Sequence, residues 1–143
     1  MIPHHEQAID MSTIALDPTV DASAEVQDLA GRIEGAQDSE IDLMTEWLTA
    51  WGQPIQMDTS DGHDMSAMEG MMTAEEMDAL GEASGADFDQ LWLEVMIRHH
   101  QGAIAMAETV KAEGQSADAL ALADEIIAAQ QAEIDEMDAL LEA

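Results

Sequence analysis

Two tandem histidine pairs, each bracketed by methionines, are the residues in this chain best placed to do chemistry. They stand in Met1-Ile2-Pro3-His4-His5-Glu6-Gln7-Ala8-Ile9-Asp10-Met11 and in Met96-Ile97-Arg98-His99-His100-Gln101-Gly102-Ala103-Ile104-Ala105-Met106, where seven of eleven positions are identical at an offset of 95. At about 100° per residue, Met96, His99 and Ala103 share one helical face with Met106 on the same side as His99, and Met1, His4, Ala8 and Met11 repeat the arrangement. A thioether and an imidazole at i and i+3 pair a soft with a borderline donor, which suits Cu(I), and Cu(II) through the imidazoles. Packing offers a plainer explanation: one histidine of each pair hydrogen-bonded in the core, to Gln37 or Gln130, with the methionines filling space. Duplication of the whole set weighs against that explanation.

A third cluster lies between the repeats, His63-Asp64-Met65-Ser66-Ala67-Met68-Glu69-Gly70-Met71-Met72, with Met57 upstream. Its thioethers can converge on a soft ion without preformed helix geometry, or fold back as an apolar lid, since Met fills irregular gaps well. Other chemistries find less support. Di-iron bundles require Glu-x-x-His, yet three residues before the five histidines stand Met1, Ile2, Ser60, Met96 and Ile97. No nucleophile elbow, P-loop or dinucleotide glycine pattern occurs, so the reading leans away from an enzyme. With 0 cysteines, thiolate metal sites, thiol catalysis and disulfides are excluded.

The elements that must hold these residues read as helices. Ile2, His5, Ala8 and Ile9 recur at helical spacing as far as Leu16, and Asp17-Pro18-Thr19 stops the segment. Asp21 or Ser23 can cap a second helix over about Ala22 to Trp51, with Val26, Leu29, Ile33, Ala36, Gln37, Ile41, Met44 and Leu48 on one stripe and Gly52-Gln53-Pro54 at its end. Residues 52–72 show no periodicity and form the crossover; Thr73-Ala74-Glu75-Glu76 is a capping box opening one short helix before Gly81. A third long segment, about Asp87 to Glu113, carries Phe88, Leu91, Trp92, Val95, Met96, His99, Ala103, Met106 and Val110. A fourth, about Ala117 to Leu141, carries Leu120, Ala123, Ile127, Gln130, Ile134, Met137 and Leu141. Leu29, Ala30, Ile33, Ala36, Gln37, Glu40, Ile41, Asp42 and Met44 recur at an offset of 93 as Leu122 to Met137. The two-residue difference between the offsets falls in the first turn, around Asp17 to Asp21.

The expectation is one all-α domain, 1–143: repeat one over 1–51, crossover 52–86 and repeat two 87–143. Two helical hairpins joined by a long crossover make a ferritin-like four-helix bundle. A chain of 143 residues that is 47% apolar can bury one core. Against 32 acidic residues stand Arg32, Arg98 and Lys111, a formal net charge of −29. Such a field repels nucleic acid and anionic lipid and attracts cations, although most carboxylates need be no more than a solvated surface. The same field is expected to raise histidine pKa values, so that histidine-dependent metal binding weakens as pH falls through about 6 to 7. No apolar run approaches the roughly 18 residues of a membrane span, so no membrane insertion is expected.

The motifs M-I-P-H-H-E-Q-A-I-D-M, M-I-R-H-H-Q-G-A-I-A-M, A-Q-x-x-E-I-x-x-M and G-M-M-T-A-E-E-M-D-A-L together resemble a family of ferritin-like four-helix proteins long catalogued as a domain of unknown function, which includes the copper-binding protein CopM. The resemblance spans nearly the whole chain. It implies a protein exported or anchored outside the cytoplasm that binds copper or silver through Met and His. Carried over by matching position, the implied ligands are His4, His5, Met11, His99, His100, Met106 and the loop methionines Met65, Met68, Met71 and Met72; the loop reading adds His63. The fold itself is expected to need no metal. The chain departs from the family by starting inside the first motif: nothing before Met1 matches the Ala86 to Val95 that precede Met96. Either a start codon was assigned late or the chain was cut, and the missing leader says little about export. The shortened first helix should leave Trp47, Leu48 and Trp51 uncovered and recruit a partner, such as a second copy. An acidic interaction module with Met and His as core, or a redox enzyme on the same bundle, are the competing readings.

Overall fold

The computed structural model describes residues 1–53 and 70–143, and all regular structure among them is helical. Helix α1 (Ile2–Leu16) carries Pro3 in its first turn, where a missing N–H costs nothing. A 3-10 turn, Pro18–Val20, follows Asp17, whose carboxylate accepts from the Thr19 N–H at 2.8 Å. Asp21 takes the left-handed conformation (φ 53°), and Ser23 then caps α2 (Ala24–Ala50) by accepting from the Val26 N–H. Gly52, at φ 67°, turns the chain off the end of α2.

Helix α3 (Ala74–Glu82) opens with the complete Thr73/Glu76 capping box. It runs one residue past Gly81, which therefore does not terminate it. Helices α4 (Gly85–Glu113) and α5 (Ala117–Glu142) are joined by three residues, with Ser116 capping α5. No helix among the described residues is long and apolar enough to cross a membrane.

Helix α1 lies along α2 and α4 along α5; α1 meets α4 across the middle, and α3 rests on both. Apolar residues gather in two clusters at opposite ends of the bundle. One holds Met11, Leu29, Ile33, Phe88, Trp92, Met96 and Met137, closed by Met72 and Leu80. The other holds Ile2, Met44, Ala107, Leu122 and Ile126. Between them, on every long helix, the buried residues turn polar: His4 and His5 on α1, Gln37 on α2, His99 and His100 on α4, Gln130 on α5. The four helices thus share one polar layer inside an apolar core. Ala36, placed on the inner stripe by its spacing, faces solvent instead, because Ile33 and Gln37 already occupy that arc of α2.

Candidate metal centre

At the α1–α4 contact the rings of His4 and His99 stack, centroids 3.6 Å apart with 28° between planes. Both are fully buried. Their neighbours turn outward to carboxylates: His5 Nε2 lies 2.7 Å from Glu40 Oε2, and His100 Nε2 lies 2.7 Å from Glu133 Oε2. The two bonds are equivalent in the repeats, spanning 35 and 33 residues, and the difference of two sits where the longer first turn is. One histidine of each pair is therefore hydrogen-bonded, as the packing explanation requires. The partners of His5 and His100 are Glu40 and Glu133, one helical turn further along each partner helix than Gln37 and Gln130. Both glutamates recur in the repeat, and that recurrence was the signal for them.

The remaining nitrogens differ in what they can do. His5 Nδ1 is 3.1 Å from the Met1 carbonyl, so with Glu40 on Nε2 both of its nitrogens face acceptors. His100 Nδ1 and both ring nitrogens of His99 have no hydrogen-bond partner among the described residues, nor do Gln37 Oε1, the Gln130 amide and Ser12 Oγ. Leaving a buried polar atom unpaired costs roughly 1–3 kcal/mol. Groups of this kind in a buried layer are ordinarily satisfied by water or an ion. With its Nε2–H donated to Glu133, His100 would present an Nδ1 lone pair inward, the carboxylate–histidine arrangement that orients metal ligands.

Burial, and then the positive charge that His4, His100, His5 and Arg98 can carry, lower the His99 pKa to about 2. This reverses the expectation for that residue: the acidic surface would raise it, but desolvation inside the bundle outweighs a field screened by solvent. A neutral imidazole with a free lone pair is what a copper ion requires. Among the described residues no three His, Asp or Glu side chains converge as a cage. An ion held here would need thioethers to complete its shell.

The thioethers are unevenly placed. Met11, Met72 and Met96 are buried in the same cluster, whereas Met71 and Met106 are half-buried. Met11 lies under α4, where the Trp92 indole N–H donates to the Met11 carbonyl at 3.0 Å. Met106, its counterpart, belongs to neither apolar cluster. Met57, His63, Met65 and Met68 lie outside the described residues.

Gln7, not singled out in the sequence, seats the chain beside the histidines. Its side-chain amide donates to the Met72 carbonyl at 3.0 Å and accepts from the Met72 N–H at 2.8 Å. Next to it Gly70, at φ 81°, lies so close to α4 that a Cβ would come within 2.7 Å of the Arg98 carbonyl, 3.1 Å of Gly102 Cα and 3.2 Å of His99 Cα. Arg98 also reaches Glu76 of α3 at 2.9 Å.

Comparison with known structures gives this geometry its context. A protein of Streptomyces coelicolor described as secreted is 31% identical, with a TM-score of 0.89 over 99% of this chain and 86% of that one. A fragment from Deinococcus radiodurans is 31% identical, with a TM-score of 0.87 over 99% and 90%. CopM in its Cu(I)-bound form is 31% identical, with a TM-score of 0.81 over 99% and 90%, and it has also been solved with Cu(II) and with silver. A search of curated protein sequences gave no match. The family model described as "Domain of unknown function (DUF305)" matches residues 1–141, and the all-helical bundle and its duplicated histidine motif therefore place this chain in the DUF305 family.

Proposed function

We propose that this protein binds and sequesters soft metal ions outside the cytoplasm, Cu(I) foremost, Ag(I) by the same donors, and Cu(II) through imidazole. The observation that carries the reading is His99: buried, neutral and stacked on His4, with both ring nitrogens unpartnered among the described residues. Buried thioethers of Met11, Met72 and Met96 stand in the adjoining cluster. Soft and borderline donors of this kind favour copper over the Ca²⁺ that the abundant carboxylates would suggest, since hard cations need six or more converging oxygens. Structures of CopM with Cu(I), Cu(II) and silver support the assignment, and the secreted Streptomyces protein supports the location. Copper is cargo in this reading, and folding proceeds without it.

The test is a Cu(I) titration against a competing chelator, read by native mass spectrometry. Replacing Met65, Met68, Met71 and Met72 with leucine keeps the apolar volume and removes donors; changing His4, His5, His99 and His100 to asparagine removes the imidazoles. Each set should lower affinity or stoichiometry, and unchanged binding in both sets would leave only packing for these residues. A second reading, an acidic interaction module without metal, draws on the lack of a three-ligand His/Asp/Glu cage among the described residues. It predicts no stoichiometric copper in the same titration.

A further inference from the structure

The duplicated motif departs from identity at four places, Pro3/Arg98, Glu6/Gln101, Gln7/Gly102 and Asp10/Ala105. Three of these residues, Gln7, Gly102 and Arg98, lie against residues 70–72 at the end of the crossover. Gln7 pairs its amide with the Met72 backbone, while Gly102, its counterpart at the offset of 95, supplies one of the close backbone approaches around Gly70. Arg98, the counterpart of Pro3, lends its carbonyl to the Gly70 contact and its guanidinium to Glu76. One segment of chain is thus seated against two helix turns that carry the matching histidine pairs, and it meets each through a residue that differs between them.

From this placement we infer that Gln7 is a positioning residue for soft-metal binding: it latches Met72, and with it Met71, against the His4/His99 layer, so that the two repeats share one thioether-bearing strap in place of two equivalent sites. The geometry explains why the latch needs this side chain. A primary amide alone offers a donor and an acceptor side by side, matching the carbonyl and N–H of a single residue. A carboxylate could accept from the Met72 N–H but would face its carbonyl oxygen without a proton. On the other helix, a Cβ at position 70 would come within 3.1 Å of Gly102 Cα, so the strap passes close to the α4 backbone there. The inference rests on the metal-binding reading, but the latch can be observed without metal.

The test uses the full chain with its methionine methyls labelled with ¹³C, Ag(I) as the ion, and the variants Gln7→Ala and Gln7→Glu. In the metal-free protein, the Met72 amide should exchange with solvent faster in Gln7→Ala while the helix amides of α2 and α5 are unchanged, which reports the latch itself. On silver addition, the Met71 or Met72 methyl signal should shift in the parent. In Gln7→Ala that shift should be lost and silver affinity should fall about ten- to a hundredfold, the usual effect of removing a group that orients metal ligands. Gln7→Glu, which keeps only the acceptor, should fall between. Silver bound with equal affinity and the same methyl shifts in parent and Gln7→Ala would overturn the positioning role while leaving metal binding intact. Failure of the parent itself to bind silver would overturn both, and that failure is read in the parent before any variant is made.

Discussion

Because His99 is buried among three other imidazoles and beside Arg98, its pKa in the fold is lowered to about 2, whereas a histidine in an unfolded chain takes up a proton near about 6.5. Below that value the unfolded state binds the extra proton, so the contribution of His99 is fully present above about 6.5 and is lost as pH falls, by at most about 1.4 kcal/mol per pH unit. Urea unfolding should show the parent losing roughly 2 kcal/mol more than His99→Asn between about pH 6.5 and 5; equal losses would assign the acid sensitivity to other groups. The same shift keeps His99 neutral, so its own protonation should not weaken copper binding through about pH 6 to 7 as the sequence suggested. At the neighbouring residue, Glu133 holds His100 Nε2. Glu133→Ala should weaken Cu(II) binding about ten- to a hundredfold with little change in helix content, measured by titration and circular dichroism.

Among the elements, the segment joining Gly70 to α3 is held close against the backbone of α4. Gly70 and Gly52 both take positive φ, yet nothing lies within 4 Å of a Cβ at Gly52, while one at Gly70 would meet the Arg98 carbonyl. Gly52→Ala should therefore cost about 1–2 kcal/mol, the ordinary left-handed penalty, and Gly70→Ala clearly more, in the same equilibrium unfolding experiment. The four long helices were legible in the sequence because their apolar spacing, caps and turns agree, and α3 because Thr73 and Glu76 spell its start. Ala36 was misplaced since alanine, small and weakly apolar, is at home on either face of a helix whatever its spacing. Glu40 and Glu133 were hidden among 32 acidic residues, distinguishable only by their recurrence. The seat of the crossover was illegible for a different reason: Gln7 and Gly102 look like drift between repeats until the chain that contacts both is in view.

At the scale of the whole molecule, charge decides how it meets ions and other copies of itself. Each of the three basic residues is already paired: Arg32 with Asp28 and Glu136, Arg98 with Glu76, Lys111 with Asp124. The remaining field attracts cations, and stopped-flow association of Ag(I) should slow as an inert nitrate salt is raised, because the attraction is screened. Salt should act in the opposite direction on self-association. A groove of about 310 Å³ lies between Ile2, Met44, Trp47, Leu48, Val110 and Leu122, and Trp51 beside it is 52% exposed. We propose that a second copy covers this groove once repulsion is screened. Light scattering should show dimer rising with ionic strength and tryptophan emission moving to shorter wavelength; a monomer with unshifted emission at every salt concentration would exclude it. The stacked His4 and His99 rings hold a last consequence: one ring comes from each helical hairpin, so an ion shared by the pair would clasp the two halves of the bundle together and raise its resistance to unfolding.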